Sequence, residues 1–201
     1  LGSISLWAKT ETTTSNRAYF SSYIDSNNFI SVSYAHSANE VKVNYKGGGS
    51  TKTSSTTDVI EGDGLWHNII ATWDESGLLS LYLDGVLKDT AASLPTIVGT
   101  AATSSIGNNA NSGQYFLGNI DEVSLFNVEL TASQVTTLYN DGLPYTVAAD
   151  TGLIGWWRMG DGGIIGDPIA TFPTIPDDST NSNNGTMTNM TSTDFEADVP
   201  E

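Results

Sequence analysis

The side chains able to do chemistry are few. Asp121 and Glu122 stand adjacent in "NIDEVSLF", and the two histidines are His36 and His67. A retaining glycosidase needs two carboxyls about 5 Å apart on one surface. Neighbouring residues of a strand point to opposite faces, so the pattern predicts that Asp121 and Glu122 do not form such a pair. The histidines fall on separate predicted strands, and no G-x-S-x-G turn is present to expose a serine nucleophile. "GGGSTKT", residues 47–53, resembles the end of a phosphate-binding loop, yet Thr51 stands where its last glycine belongs and no helix follows. "GDGGIIG", residues 160–166, misses the dinucleotide spacing and has no βαβ context. With 0 cysteines, thiol nucleophiles and cysteine-ligated metals are excluded.

The elements that must position these residues are strands. "SISLWAK" alternates Ile4, Leu6 and Ala8 against Ser3, Ser5 and Trp7, the period of a half-buried strand. "NFISVSY" and "EVKVNYK" repeat the pattern across a Ser-Ala-Asn-Glu turn. Gly47 to Gly49 and the Ser/Thr run to Thr57 read as a flexible connection. "WHNIIATWDESGLLSLYLDG", residues 66–85, is a hairpin, and Asp84-Gly85 turns the chain again into "VLKDTAA". Trp66 and Trp73 are an odd number of steps apart, which puts them on opposite sides, and Trp156 and Trp157 split likewise. "GQYFLGNIDEVSLFNVEL" is a strand region whose Gly118 suits a bulge or a close backbone approach. One helix is signalled near residues 131–141. Thr131 and Gln134 form a capping box, Leu130 and Val135 a staple, and Gly142 and Pro144 a stop. Many strands, short turns and one brief helix predict an all-β fold, an antiparallel β-sandwich or jelly roll.

Composition narrows the partners. Of 201 residues, 7 are Lys or Arg and 23 are Asp or Glu, a formal charge of −16. Nucleic acid and anionic membrane surfaces both require cationic patches, so neither is expected as a partner. No apolar run approaches the roughly 18 residues that cross a bilayer, so membrane insertion is not expected. The chain opens inside a strand, at "LGSISLW", and its start is read as processed or truncated.

Two blocks carry a family resemblance: "DGLWHNIIATWDESGLLSLYLDG" and "YFLGNIDEVSLFNVELTASQVTTLYNDG". Together they resemble the laminin-G-like branch of the concanavalin A-like lectin/glucanase superfamily, over residues 1 to about 142. The resemblance implies two antiparallel sheets packed face to face. Domain organisation follows: residues 1–145 are the laminin-G-like sandwich. Residues 146–201, with "GLIGWWRMGDG" and "DSTNSNNGTMTNM", resemble the family's opening strand and the segment after it. That opening strand belongs beside "NIDEVSLF". Residues 152–160 are therefore predicted to form a strand there, completing the same sandwich or a neighbour's. Leu153, Gly155 and Trp157 are expected on one side of it, and Ile154 and Trp156 on the other. Leu153, Ile154, Trp156 and Trp157 thus form a candidate assembly strand.

Laminin-G-like relatives commonly hold calcium at a rim where an acidic side chain opens a strand. The matching position is Asn28, with Asp25 three residues earlier, and these two are the candidate metal ligands. Asn108 to Asn111 offers a second acceptor-rich loop. Sandwich-fold glucanases carry their acids as E-x-D-x-E on one strand face, a pattern missing here, so no catalytic residue is assigned. The chain is similar in flavour to structural proteins of marine bacteriophages, acidic and Ser/Thr/Asn-rich with "WWRMGD" near the end. The resemblance implies a non-catalytic surface module, extracellular or on a virion. It would self-associate, join other virion proteins, or attach to a host surface glycan or protein. The alternatives are a carbohydrate-binding module of a secreted bacterial protein and, third, a sandwich-fold glycoside hydrolase.

Overall fold

A computed structural model of the chain describes residues 1–101, 103–109, 113–147, 150–159, 173–191, 194 and 200. In chain order the strands of the sandwich are β1 (Gly2–Thr10), β2 (Arg17–Asp25), β3 (Asn28–Ala35), β4 (Glu40–Gly47), β5 (Ser50–Thr56), β6 (His67–Trp73), β7 (Leu79–Leu83), β8 (Val86–Ala91), β9 (Thr103–Ile106), β10 (Gly118–Phe126) and β11 (Leu153–Trp157), and a two-residue pair, β12 (Thr174–Ile175) with β13 (Gly185–Thr186), follows. Helix α1 (Ala132–Tyr139) follows β10. One sheet runs β11-β10-β1-β6-β7-β8, the other β5-β4-β3-β2-β9, and every strand pairing in them is antiparallel. This is the expected sandwich with its one short helix.

The alternation of apolar residues explains the core. Ile4, Leu6, Ile69, Leu79, Leu81 and Val123 from one sheet meet Phe20, Ile30, Val32, Tyr34, Val41 and Val43 from the other. Each such aliphatic side chain, fully buried, contributes about 1.5–3 kcal/mol. Yet β1 is not the half-buried strand its alternation predicts. Ser3, Ser5 and Trp7, on the far side, are also buried. Their face lies beneath a second cluster of Ile70, Phe126, Leu130, Val135, Leu138, Val147 and Trp156. Helix α1 supplies Val135 and Leu138 to that cover. Thr131 caps it, its hydroxyl accepting from Gln134 N while Gln134 Oε1 accepts from Thr131 N at 2.9 Å. Asn140, left-handed at φ 46°, ends it.

The Ser/Thr run after Gly49 is a strand rather than a connection. Gly48 and Gly49 take positive φ, which closes a tight turn, and Thr51 and Thr53 continue the sheet as β-branched residues do. Gly118 serves the close approach its position suggested, since a Cβ there would collide with Lys9 O.

Strand β11 pairs with β10 inside the same chain, Ser124 opposite Trp156 and Val123 opposite Trp157. Trp157 packs against the inter-sheet core and Trp156 into the outer cluster, the split expected of adjacent residues. Leu153 departs from expectation. The register slips between Leu125 and Phe126, which turns Leu153 onto the Trp156 side and leaves Ile154 exposed. The free edge of β11 is covered by the 177–184 segment. Trp156 N donates to Asp177 Oδ1 at 2.8 Å and Asp178 N donates to Trp156 O at 2.8 Å. The Asn181 and Asn183 amides donate to Leu153 O and Ile154 O at 3.0 and 2.6 Å. Burial would raise the Asp177 carboxyl, but the N–H groups of Trp156, Ser179 and Asn183 hold it below the usual range.

Trp156→Ala is expected to cost about 3–5 kcal/mol, the range for emptying a buried aromatic site. Deleting residues 153–201 should abolish the cooperative thermal transition. Calorimetry of both proteins checks this, and a truncated chain as stable as the full one would show that β11 completes nothing.

Candidate functional site

Helix α1, Val147 and the Trp156 side chain cover the outer side of the six-stranded sheet, while the outer side of the five-stranded sheet carries a polar surface. Register places Phe29, Ser31 and Ser33 of β3 beside Lys46, Asn44 and Lys42 of β4, and those beside Thr51, Thr53 and Ser55 of β5. Ser21 and Tyr23 of β2 continue the face, on which Ser21, Ser31 and Ser33 are themselves buried. Tyr23 and Phe29 stack with centroids 5.7 Å apart, and the Lys46 ammonium sits 5.7 Å from the Phe29 ring. Asn44 Oδ1 accepts from the Thr53 hydroxyl at 2.8 Å, which orients its amide N–H group on the face. A partly exposed aromatic pair beside amide, hydroxyl and ammonium donors suits a polar ligand with an apolar side.

A second polar cluster lies at one end of the sandwich, where loop 57–66 bridges the two sheets. Glu61 Oε2 is 2.5 Å from the Tyr34 hydroxyl, which also lies 2.6 Å from Asn39 Oδ1, and Glu61 Oε1 accepts from Thr13 N. Burial would raise Glu61, yet the Tyr34 and Thr13 hydrogen bonds and nearby His36 hold it low. Burial and the Glu61 charge keep Tyr34 protonated. On the other sheet, His67 Nδ1 is 2.7 Å from Asp84 Oδ2 and its Nε2 is 2.9 Å from Asp63 Oδ2. A neutral imidazole donates only one N–H, so this geometry calls for the imidazolium. Burial disfavours that charge, but Asp84 and Asp63 outweigh it and raise the His67 pKa. His67 separates the two carboxylates instead of sharing a central point with them. Among the described residues no trio of His, Asp and Glu surrounds a metal-sized position.

Asp25 and Asn28 do come together, in the β2–β3 turn. Asp25 Oδ1 accepts from Asn27 N at 2.7 Å and from Asn28 Nδ2 at 3.0 Å, and these bonds depress its pKa. Asn28 Oδ1 receives Gly48 N and Val98 N, both at 3.1 Å. A calcium ion needs six to eight oxygens aimed inward. Here the amide oxygen is taken by two N–H groups and one carboxylate remains, so the donor set does not fit a calcium shell. Asn28 instead pins three loops together. Of the second loop, Asn108 O accepts from Ser21 and residues 110–112 lie outside the described residues. The "GDGGIIG" stretch lies outside them as well.

The acidic pair requires a correction. Asp121 and Glu122 do not point to opposite faces. The β1–β10 register slips between Ser5 and Trp7, and Glu122 takes φ 50°. Asp121 lies opposite Trp7, which stacks on Tyr139 of α1, so it faces outward. Glu122 also reaches the outer side, where Oε2 accepts from Trp156 Nε1 at 2.6 Å and Oε1 from Arg158 Nε at 3.2 Å. The Arg158 guanidinium lies 5.0 Å from the Trp156 ring. Both carboxylates are buried in this packing. The bulge carries no glycine in "NIDEV", which is why alternation misread it. The donors on Trp156 and Arg158, more than 30 residues away, leave no local mark either.

Raising the pH should remove the His67 contribution to stability. Its folded pKa lies above the ordinary value near 6.5, so the contribution is complete below about pH 6.5 and is lost as pH rises through the raised folded pKa. Melting temperatures between about pH 6 and pH 9 should fall for the wild type and stay flatter for His67→Gln. Separately, Asn28→Ala should cost about 1–3 kcal/mol by orphaning the N–H groups of Gly48 and Val98, with or without calcium. Millimolar calcium raising the melting temperature, with the rise abolished in Asp25→Ala, would show instead that these residues hold the ion.

A family model described as the concanavalin A-like lectin/glucanases superfamily matches residues 2–136. Among solved structures, the chain is similar to domain 4 of AbnA, a GH43 extracellular arabinanase from Geobacillus stearothermophilus, in complex with arabinotriose. The identity is 27%, the TM-score 0.59, and the match covers 69% of this chain and 66% of that one. A candidate carbohydrate binding protein from Bacteroides ovatus has TM-score 0.66 at 16% identity, over 92% of this chain and 51% of that one. A heptameric SAP-like pentraxin from Limulus polyphemus has TM-score 0.54 at 19% identity, over 69% of each chain. The chain thus spans 66% and 51% of the first two of these relatives. No curated protein sequence matches it.

Proposed function

Because the chain belongs to the concanavalin A-like lectin/glucanase superfamily, we propose that it is a non-catalytic binding module whose ligand is a carbohydrate. The observation that carries this reading is the division of labour between the sheets. One outer face is buried under α1, Val147 and Trp156, and the other presents Tyr23, Phe29, Asn44 and the hydroxyls of Thr51 and Thr53. Support comes from the AbnA domain, which is 27% identical and was solved with arabinotriose. The Bacteroides ovatus relative, named for carbohydrate binding, covers 92% of this chain, beyond the family match. The reading as non-catalytic rests on Glu122, whose two oxygens are taken by Trp156 and Arg158 inside the packed outer cluster.

The setting we infer is the outside of a cell or virion, as a structural, decoration or host-attachment protein. That rests on the sequence resemblance to marine phage proteins. Capsid or tail genes beside its gene would support it, whereas polysaccharide-degrading genes would place the module in a secreted bacterial protein.

The wild type should be retained by at least one polysaccharide in affinity electrophoresis, with no reducing sugar released. Phe29→Ala and Asn44→Ala should each weaken retention about tenfold or more, a loss of ~1.4 kcal/mol, and leave the fold intact. Retention by nothing in a panel of neutral and acidic polymers would overturn the carbohydrate reading. Hydrolysis abolished by Asp121→Asn or Glu122→Gln would overturn the non-catalytic one.

A further inference from the structure

The open sheet face has a charge opposite to that of the chain. Seven Lys and Arg serve the whole protein, against 23 Asp and Glu. Lys42 and Lys46 nevertheless lie on this face, two positions either side of Asn44 on the same strand side. Lys52 of neighbouring β5 pairs with Tyr45, which packs against the inter-sheet core, so that lysine belongs to the other side of the sheet. The side chains that reach the surface around Asn44 are Tyr23, Phe29, Lys42, Lys46, Thr51 and Thr53, with no carboxylate among them. Acids stand only at its margins. Glu40 Oε1 is 3.9 Å from the Lys42 ammonium, and Asp25 lies in the turn beyond Lys46. Asp58 and Asp89 lie toward the β5–β8 edge, bonded to Lys88 and to Ser55 N.

We propose that this face recognises an anionic glycan, one carrying uronate carboxylates or sulfates. The inference deepens the carbohydrate reading and rests on it. A sheet face that bound only neutral sugar would gain from its aromatic pair and from amide and hydroxyl donors, and would have no use for two ammonium groups. In a chain of charge −16 those groups also run against the composition. At physiological ionic strength the Debye length is about 8 Å, so remote acids are screened and the charges touching the ligand decide the sign. Lys42 and Lys46 flank the Asn44 amide, and this spacing lets one polymer meet ammonium, amide and ammonium in turn. Phe29 and Tyr23 lie at the Lys46 end to take the apolar side of a ring.

The test uses the full chain and four polymers, alginate and dextran sulfate as anionic probes, arabinan and dextran as neutral ones. Affinity electrophoresis at about 0.15 M salt should show retention by an anionic polymer. Lys42→Gln/Lys46→Gln should weaken that retention at least tenfold. Glu40→Gln, which removes the acid beside Lys42 and leaves the core untouched, should strengthen it. Equal or better retention on the neutral polymers, or anionic retention unchanged in both variants, would overturn the inference and leave the carbohydrate reading standing. Retention on none of the four, with none on a wider glycan panel, would overturn both. If the double variant fails to fold, the Glu40→Gln result decides alone.

Discussion

Ser3, Ser5 and Trp7 lie on the side of β1 that sequence alternation assigns to water, and all three are buried. The six-stranded sheet has to be covered twice, once by its partner sheet and once by α1, Val147 and Trp156. Much else follows from that second cover. The hydroxyl of Ser3 is committed to Val128 O at 2.9 Å and accepts from Leu130 N at 2.9 Å, which fixes where the helix begins. The Asn68 side chain, wholly buried, donates to Leu6 O and Ser5 Oγ. Polar groups buried this way must find partners, and the polar residues of β1 and β6 largely supply them to one another.

The same constraint separates what the residues announced from what they hid. The helix was legible to its cap because Thr131, Gln134, Leu130 and Val135 act within five residues of one another. The 66–85 hairpin was legible for the same reason. Features built across distance were not. The Glu122 bulge is set by its register against β1, over 110 residues away, and by an indole and a guanidinium from the far end of the chain. β5 was missed because its serines and threonines look like a loop until a paired β4 is beside them. The short "TSSI" strand, β9, carries no apolar alternation and exists because β2 offers it an edge.

At the site level, the direction in which a side chain points decides what it can hold. Asp25 and Asn28 meet, but the amide faces two backbone donors from other turns. Sequence gives residue types and turn positions; it does not give the direction in which an amide points. The open sheet face was hidden more thoroughly. Alternation marks Ser31, Asn44 and Thr53 as outward, but only the pairing register brings them together, and only the cover on the opposite sheet singles their face out.

The strand order also determines how this chain must be made. Among the strands of the sandwich β1 is made before both of its neighbours, β6 and β10, and its pairing is completed only when β10 arrives. Translation proceeds at roughly 5–20 residues per second, so β1 waits on the order of ten seconds for β10. Through that interval Ile4, Leu6, Trp7 and Ala8 are an apolar ribbon without its second partner. A topology dominated by such long closures folds slowly, and its half-made sheets are prone to pair with other chains. The long wait of β1 for β10 thus exposes an edge during synthesis that the finished sandwich no longer shows.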